Sequence, residues 1–406
     1  MSADVKEVKV SPQKKEGSGQ NPLVRIRKQF EKDPALKDLL CWNETFQTIQ
    51  FKKPFKYIKE NSELTDSGQH ELLYYISEKM GMDVPVQKLE VAMTVESRRH
   101  IINPIKNYLD ELKWDGTPRL GTWLHRYTGA PLNTYTGEVG KIVLTAAVAR
   151  VYQPGIKYDY MMVLEGKTRI GKSRLLQALG GEWYLDMHLE DTNKDIIDNM
   201  RGKWIIEISE MAGFGKRENE WLKAFLSRGV DRVRLSYGYR SQDYPRQSIL
   251  IGSMNPSGDN TYFRDDTGNA RYWPIECSER IDVDGISRDR DKLFAEAMYY
   301  FNHGQPLYLT GETFKMAEDE QGRRLQQDPW HHDIYQKVRH ASEITASEIL
   351  EKMGVPITQR DRYAQMRVGT VMKQLGWIKK QRSSGERYYV SGEYLFDGGE
   401  QDTTNS

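Results

Sequence analysis

The chain has 406 residues, with 59 Lys and Arg against 58 Asp and Glu, so its net charge is +1. A composition of 38% apolar and 29% charged residues suits about two to three cored domains under a wet surface, and the near-zero charge excludes a globally basic nucleic-acid binder. No run of about 18 apolar residues is present and residues 1–20 have no apolar signal core, which excludes a membrane-spanning helix and points to a cytoplasmic protein with no membrane partner.

Residues 1–21 form a polar, basic tail expected to be disordered. Residues 22–112 read as a mostly helical N-terminal domain. Within it LLCWNETFQTIQF (39–51) resembles a short strand pair, and SGQHELLYYISEKMG (67–81) an amphipathic helix with Leu72, Leu73, Ile76 and Met80 at helical spacing. HIINPIKNYLDELKW (100–114) is a further helix with Pro104 near its start, and Asp115-Gly116 begins a turn. Two helices follow across 121–152. Cys41 and Cys277 lie far apart and read as small buried apolar residues rather than a disulfide or metal ligands.

From 113 to 329 the character changes. Apolar runs at 160–164, 204–208 and 248–252 read as strands, separated by helical patterns at 173–180, 194–200 and 218–229. Strands alternating with helices predict an α/β fold with a parallel sheet. Residues 330–395 then read helix, helix, hairpin, the order of a winged helix-turn-helix. An acidic tail, 396–406, closes the chain. Residues 331–390 carry 11 Lys and Arg against 6 Asp and Glu, so any nucleic-acid footprint would be local rather than global.

The most specific motif is Gly166-Lys167-Thr168-Arg169-Ile170-Gly171-Lys172-Ser173, a full GxxxxGK[ST] phosphate loop between an apolar strand and an amphipathic helix. Its glycines let backbone N–H groups face phosphate oxygens. Lys172 supplies a charge to the β- and γ-phosphates, and the Ser173 hydroxyl suits Mg²⁺. The cofactors expected are therefore ATP and Mg²⁺. A second strand, Trp204–Ile208, carries Glu207 within it and Glu210 just past its end. One carboxylate would hold the metal and the other polarise water, with the division of roles open. The next strand ends in Ser253-Met254-Asn255, where Asn255 is placed to orient the lytic water or sense the γ-phosphate.

Between these strands lies a basic, aromatic hairpin, 231–246. Val233 and Leu235 alternate with Arg232 and Arg234, and Tyr237, Tyr239 and Arg240 stand at or near the tip. Guanidinium groups beside exposed rings suit single-stranded DNA; an ordinary solvated hairpin is the plain alternative. Further on, Arg271 stands beside Tyr272-Trp273-Pro274, poised either to reach a neighbouring subunit's phosphate as an arginine finger or to form a structural salt bridge. Arg264 is a second candidate. In the C-terminal part Arg360, Arg362, Arg367, Lys373, Lys379, Lys380 and Arg382 are candidates to touch duplex DNA.

Several blocks, among them WDGTPRLGTWL, EGKTRIGKS, LGGEWYLD, RGKWIIEISEM, LKAFLSRGVDRVR and GNARYWPIE, together resemble the virulence-associated protein E family, proteins of prophages and mobile islands similar to superfamily 3 helicases. The resemblance covers roughly residues 30–310. It implies an AAA+-type P-loop ATPase core forming a homo-hexameric ring around DNA. It also implies the roles above for Lys172, Ser173, Glu207, Glu210, Asn255 and Arg271, and matches Lys223 to a basic residue before the hairpin. Two departures stand out. Ala270-Arg271 replaces a frequent pair of arginines, and the phosphate loop has Thr168-Arg169 where Gln-Gly is more usual. A primase, carried upstream by many relatives, would be a separate partner.

The favoured expectation is an ATP-dependent DNA helicase or translocase in the replication of a phage or mobile element. A DNA-binding regulatory ATPase, such as an initiator or defence sensor that does not unwind, uses the same site chemistry. A small-molecule kinase would have no use for the hairpin, the candidate finger or the basic C-terminal unit.

Overall fold

Asn21 caps the first helix, α1 (Pro22–Lys32): its side chain accepts from the Leu23 N–H, and Pro22 presets φ in the first turn. This computed structural model describes residues 21–188, 193–211, 216–234, 241–255, 269–278, 280–324 and 328–391. Both tails assigned to disorder thus lie essentially outside the described residues. The expected strand pair is β1 (Leu40–Asn43) and β2 (Thr48–Phe51), antiparallel with Leu40 opposite Phe51. A strand the sequence did not reveal, β3 (Ile101–Ile102), joins β1 in parallel.

Helix α2 (Asp66–Met80) runs as the spacing predicts, from a Thr65 cap to Gly81 in the left-handed region at φ 60°. The next helix, α3 (Val86–Ser97), escaped the sequence reading. Pro85 at its start gives no side-chain cap, and Val86, Val91 and Val95 face solvent, which blurs the apolar stripe. Leu89, Ala92 and Met93 on its other face join Ile26, Phe30, Leu72 and Ile76 in a core of their own. Helix α4 (Pro104–Glu111), capped by Asn103, instead sends Ile105 and Leu109 into the large central core. By packing, the N-terminal layer ends before α4.

After α5 (Trp123–Thr128) comes α6 (Thr134–Tyr152), held at its start by a reciprocal capping box between Asn133 and Thr136 and buried nearly all round. The chain then alternates through β4 (Met161–Glu165), α7 (Lys172–Gly180), β5 (Tyr184–Met187), α8 (Asn193–Met200), β6 (Ile205–Ile208) and α9 (Lys216–Leu226). An antiparallel hairpin, β7 (Val230–Val233) and β8 (Gln242–Pro245), precedes β9 (Ile249–Met254), β10 (Tyr272–Glu276), α10 (Val283–Asn302) and α11 (Gly311–Arg323).

The predicted parallel sheet has five strands in the order β10-β4-β9-β6-β5. Its inner strands β4, β6 and β9 are buried at every position, which is why they read as unbroken apolar runs. The two strands missed from sequence are the edges. β5 is short and half-exposed, and β10 carries Pro274, a residue that argues against a strand except at an edge. Residues through 257 and 267–321 cluster as one unit containing the N-terminal layer and this sheet. Among the described residues no helix is long and apolar enough to cross a membrane.

The second unit, from residue 322, contains α12 (His331–Val338), β11 (Glu343–Thr345), α13 (Ala346–Lys352), α14 (Arg362–Gln374), β12 (Trp377–Gln381) and β13 (Arg387–Ser391). The expected helix, helix, hairpin is there, preceded by α12. The strands pair antiparallel in the order β11-β13-β12. Ile334, Ile349, Leu350, Val368, Val371 and Met372 make its own core.

Candidate nucleotide site and nucleic-acid surfaces

The loop joining β4 to α7 is shaped by its glycines. A Cβ on Gly166 would come within 2.8 Å of the Cys277 carbonyl oxygen, and Gly171 sits at φ +113°. Arg169 also lies in the left-handed region, at φ +66°. The bulkier side chain thus occupies a backbone conformation that glycine adopts without strain, which accounts physically for Gly being more usual there. Ile170 anchors the loop: its carbonyl accepts from the Ile281 N–H, and its side chain packs on the central core.

Lys172, at the start of α7, is 7% exposed. Its Nζ donates to the carbonyls of Gly166 at 2.8 Å and Lys167 at 3.0 Å, and to Asn255 Oδ1 at 2.8 Å. Burial pushes the ammonium below its ordinary pKa, partly offset by nearby Cys277 and Glu207. Because β9 lies between β4 and β6, Asn255 at its end stands between the loop and the acidic strand.

Glu207 is fully buried and is the hub of the site. Ser173 Oγ donates to its Oε1 at 2.8 Å, Ser253 Oγ donates to the same oxygen, and the Tyr184 hydroxyl donates to Oε2. Burial and the Glu207 carboxylate together hold the Tyr184 hydroxyl well above its usual pKa, so it stays a donor. Glu210 differs: it is exposed, at φ +56°, on the wall of the cleft. The sequence reading missed Tyr184, because β5 was itself missed, and also Asp186, His188 and Ser209, which line the same cleft.

The cleft measures about 460 Å³ and is walled by Thr168, Arg169, Lys172, Ser173, Glu210 and Asn255 among others. Its size falls within the range of small-ligand sites. Ser209 Oγ is buried there with no hydrogen-bond partner among the described residues. Cations, loop N–H groups and an orphaned hydroxyl fit a polyphosphate. Among the described residues no group of three His, Cys, Asp or Glu side chains forms a metal cage. Ser173, Glu207 and Glu210 therefore make no all-protein metal site; they fit Mg²⁺ in its usual mode, with few protein ligands and the rest from water and phosphate.

Arg271 lies elsewhere. In the parallel register Tyr272 faces Met161 and Glu276 faces Glu165, so Arg271 stands at the amino end of the sheet. The phosphate loop leaves the carboxyl end, about 17 Å away for a five-residue strand. Half-buried Arg271 donates through Nε to Ser227 Oγ at 3.2 Å.

In the hairpin Arg232 is exposed and Val233 half-buried on the other face of β7, as the alternation predicts; Leu235 lies outside the described residues, and the buried position on Val233's face is the acid Asp231. The reason is an ion pair: Arg246 donates to Asp231 at 2.6 and 2.8 Å. Arg232 extends into solvent 3.8 Å from Asp243, and Arg234 follows the strand. Tyr237, Tyr239, Arg240 and the alternative finger Arg264 lie outside the described residues.

In the second unit a groove of about 820 Å³ runs between α14 and the β12–β13 pair, lined by Arg362, Met366, Lys373, Lys379, Arg387 and Tyr389 among others. Arg367 is not in that lining. It pairs with Asp328 at 2.7 Å and stacks on Trp330, 4.0 Å from the ring centroid. Lys380 alternates to the opposite face of β12 from Lys379. Arg360 donates to the Val355 carbonyl, and Arg382 pairs with Glu386 and Glu343.

No curated protein matches the chain. Among solved structures, the A-form apo structure of the NrS-1 C-terminal region aligns at TM-score 0.46 and 12% identity, covering 92% of this chain and 100% of that one. A further apo structure of the NrS-1 C-terminal region aligns at TM-score 0.45 and 11% identity, over 91% and 98%. Residues 109–326 match the virulence-associated protein E-like domain, a segment that carries the whole parallel sheet and more than half of the chain. The chain belongs to the virulence-associated protein E-like family.

Proposed function

We propose that this protein is an ATP- and Mg²⁺-dependent DNA helicase or translocase acting in the replication of a phage or mobile genetic element. The observation that carries the proposal is the convergence of Lys172, Ser173, Glu207 and Asn255 at the carboxyl ends of three adjacent parallel strands. Family membership and the sheet order support an AAA+-type P-loop core. Lys172 and the loop backbone would hold the phosphates of ATP. Ser173 and a carboxylate would hold Mg²⁺, which when bound neutralises phosphate charge. Lys172 and Asn255 already share a hydrogen bond, so a phosphate that engages Lys172 would bear directly on Asn255.

Arg271, at the far end of the strands, serves a neighbouring subunit's site in a homo-hexameric ring. The β7–β8 hairpin grips single-stranded DNA. The α14 groove, with Arg362, Lys373 and Lys379, takes duplex DNA in a winged-helix manner. A primase would be a separate partner. The test is ATP turnover with and without single-stranded DNA, together with displacement of a forked duplex. DNA-stimulated turnover and strand displacement are expected, and both should vanish in Lys172→Ala. Unimpaired turnover in Lys172→Ala refutes the loop assignment, and robust turnover without displacement leaves a regulatory ATPase instead.

A further inference from the structure

Arg169 combines two features that seldom coincide. It holds φ +66° in a loop whose neighbours Gly166 and Gly171 take the positive-φ positions that glycine favours. Its side chain is exposed on the wall of the nucleotide cleft and makes no hydrogen bond or ion pair with any described residue. A left-handed arginine is a local backbone cost that glycine would remove. Among the described residues no hydrogen bond or ion pair of the Arg169 guanidinium offsets that cost.

Strain that persists without a structural return marks a functional position. The cleft also needs cations. Lys172 is already tied to two carbonyls and Asn255, and Asp186 and Glu210 bring negative charge to the same walls. We propose that Arg169 is a second phosphate-binding cation of the loop, acting within its own subunit. Its guanidinium forks onto oxygens of the bound nucleotide's phosphate chain, where charge-assisted hydrogen bonds are strongest. It is distinct from Arg271, which serves the opposite end of the sheet. The inference rests on the reading of the loop as a triphosphate site.

The experiment measures binding of a fluorescent ATP analogue with Mg²⁺ to the full chain, alongside thermal melting without nucleotide. Arg169→Gly keeps the backbone conformation and removes the cation. It should bind the analogue about 10-fold more weakly, a loss that shrinks as salt is raised, while melting no lower than the parent protein. Arg169→Lys should recover part of the affinity. Equal or tighter binding by Arg169→Gly overturns the proposal. So does a drop of several degrees in its melting temperature, which would make Arg169 a structural residue. Lys172→Ala in the same assay keeps the two ideas apart. If Lys172→Ala binds normally, the triphosphate reading itself fails. If Lys172→Ala loses binding and Arg169→Gly does not, only the role of Arg169 fails.

Discussion

Replacing Asp231 by Ala should destabilise the first unit by about 3–5 kcal/mol, the usual consequence of stripping one partner from a buried ion pair. Both side chains are at most 4% exposed. Arg246 spends Nε and Nη2 on Asp231, donates Nη1 to the Phe225 carbonyl at 2.7 Å and lies 3.9 Å from the Phe225 ring centroid. Without the carboxylate, two N–H groups lose their partners on a side chain that is only 2% exposed. The charge also remains close to Arg150, whose own pKa burial and Arg246 already push down to about 10. The assay is urea unfolding of the full chain followed by near-ultraviolet circular dichroism, for Asp231→Ala, Arg246→Met and the double variant Asp231→Leu/Arg246→Met. The double variant should be less damaging than the two single losses added together, because no charge is left unpaired. A loss below about 1 kcal/mol for Asp231→Ala, or strict additivity, would refute the account. The pair also fixes the root of the hairpin, since Arg246 N–H bonds the Gly229 carbonyl and its own carbonyl accepts from Gly155. Weaker single-strand binding should accompany the loss of stability.

Asp289 gives a pH test. A hydrogen bond from Lys292, then one from Tyr127, hold its carboxyl at about 2 against an ordinary 3.8. A depressed acid contributes stability that is complete above the ordinary value and fades as pH falls through about 2. The stability gap between parent and Asp289→Asn, read from acid unfolding curves, should therefore close between roughly pH 4 and pH 2; a constant gap would sink the assignment. Tyr184→Phe removes a donor from buried Glu207 and should cost about 1–3 kcal/mol, with turnover falling more than nucleotide affinity; equal loss in both would place Tyr184 outside the chemistry. Arg271→Ala should retain nucleotide binding and lose turnover, and mixing it with Lys172→Ala subunits should restore a fraction of the activity. No recovery at any mixing ratio would count against action between subunits.

The sequence was most legible where one physical signal dominated. The inner strands declared themselves because burial on both faces leaves no room for polar residues, and the phosphate loop because its glycines and Lys172 are fixed by geometry. The edge strands were illegible for the opposite reason. Tyr184–Met187 has one face in solvent, and Pro274 disguises β10. The partners of Glu207 could not be read at all. Ser173, Tyr184 and Ser253 come from three separate stretches and meet only because the sheet order brings β5, β6 and β9 together beside α7. Arg367 shows the limit of reading charge as footprint: a basic residue on α14 is committed to Asp328 and Trp330, while its neighbour on the next turn, Thr370, lines the groove.

The two glutamates of the acidic strand illustrate how environment separates residues that sequence leaves equivalent. Glu207 has no exposed surface and receives hydroxyls on both oxygens, so changing its position means breaking three hydrogen bonds in a buried place. One of those hydroxyls is Ser173, so the carboxylate sets the orientation of the loop residue suited to the metal. Glu210 is exposed at the cleft wall on a left-handed backbone that a glutamate adopts at a cost. It lines the cleft in which a nucleotide and water would meet. Under the proposed function the buried carboxylate is suited to organise Ser173 and the metal, and the exposed one to polarise water. That division follows from burial and backbone conformation, neither of which the run Ile205-Ile206-Glu207-Ile208-Ser209-Glu210 discloses by itself.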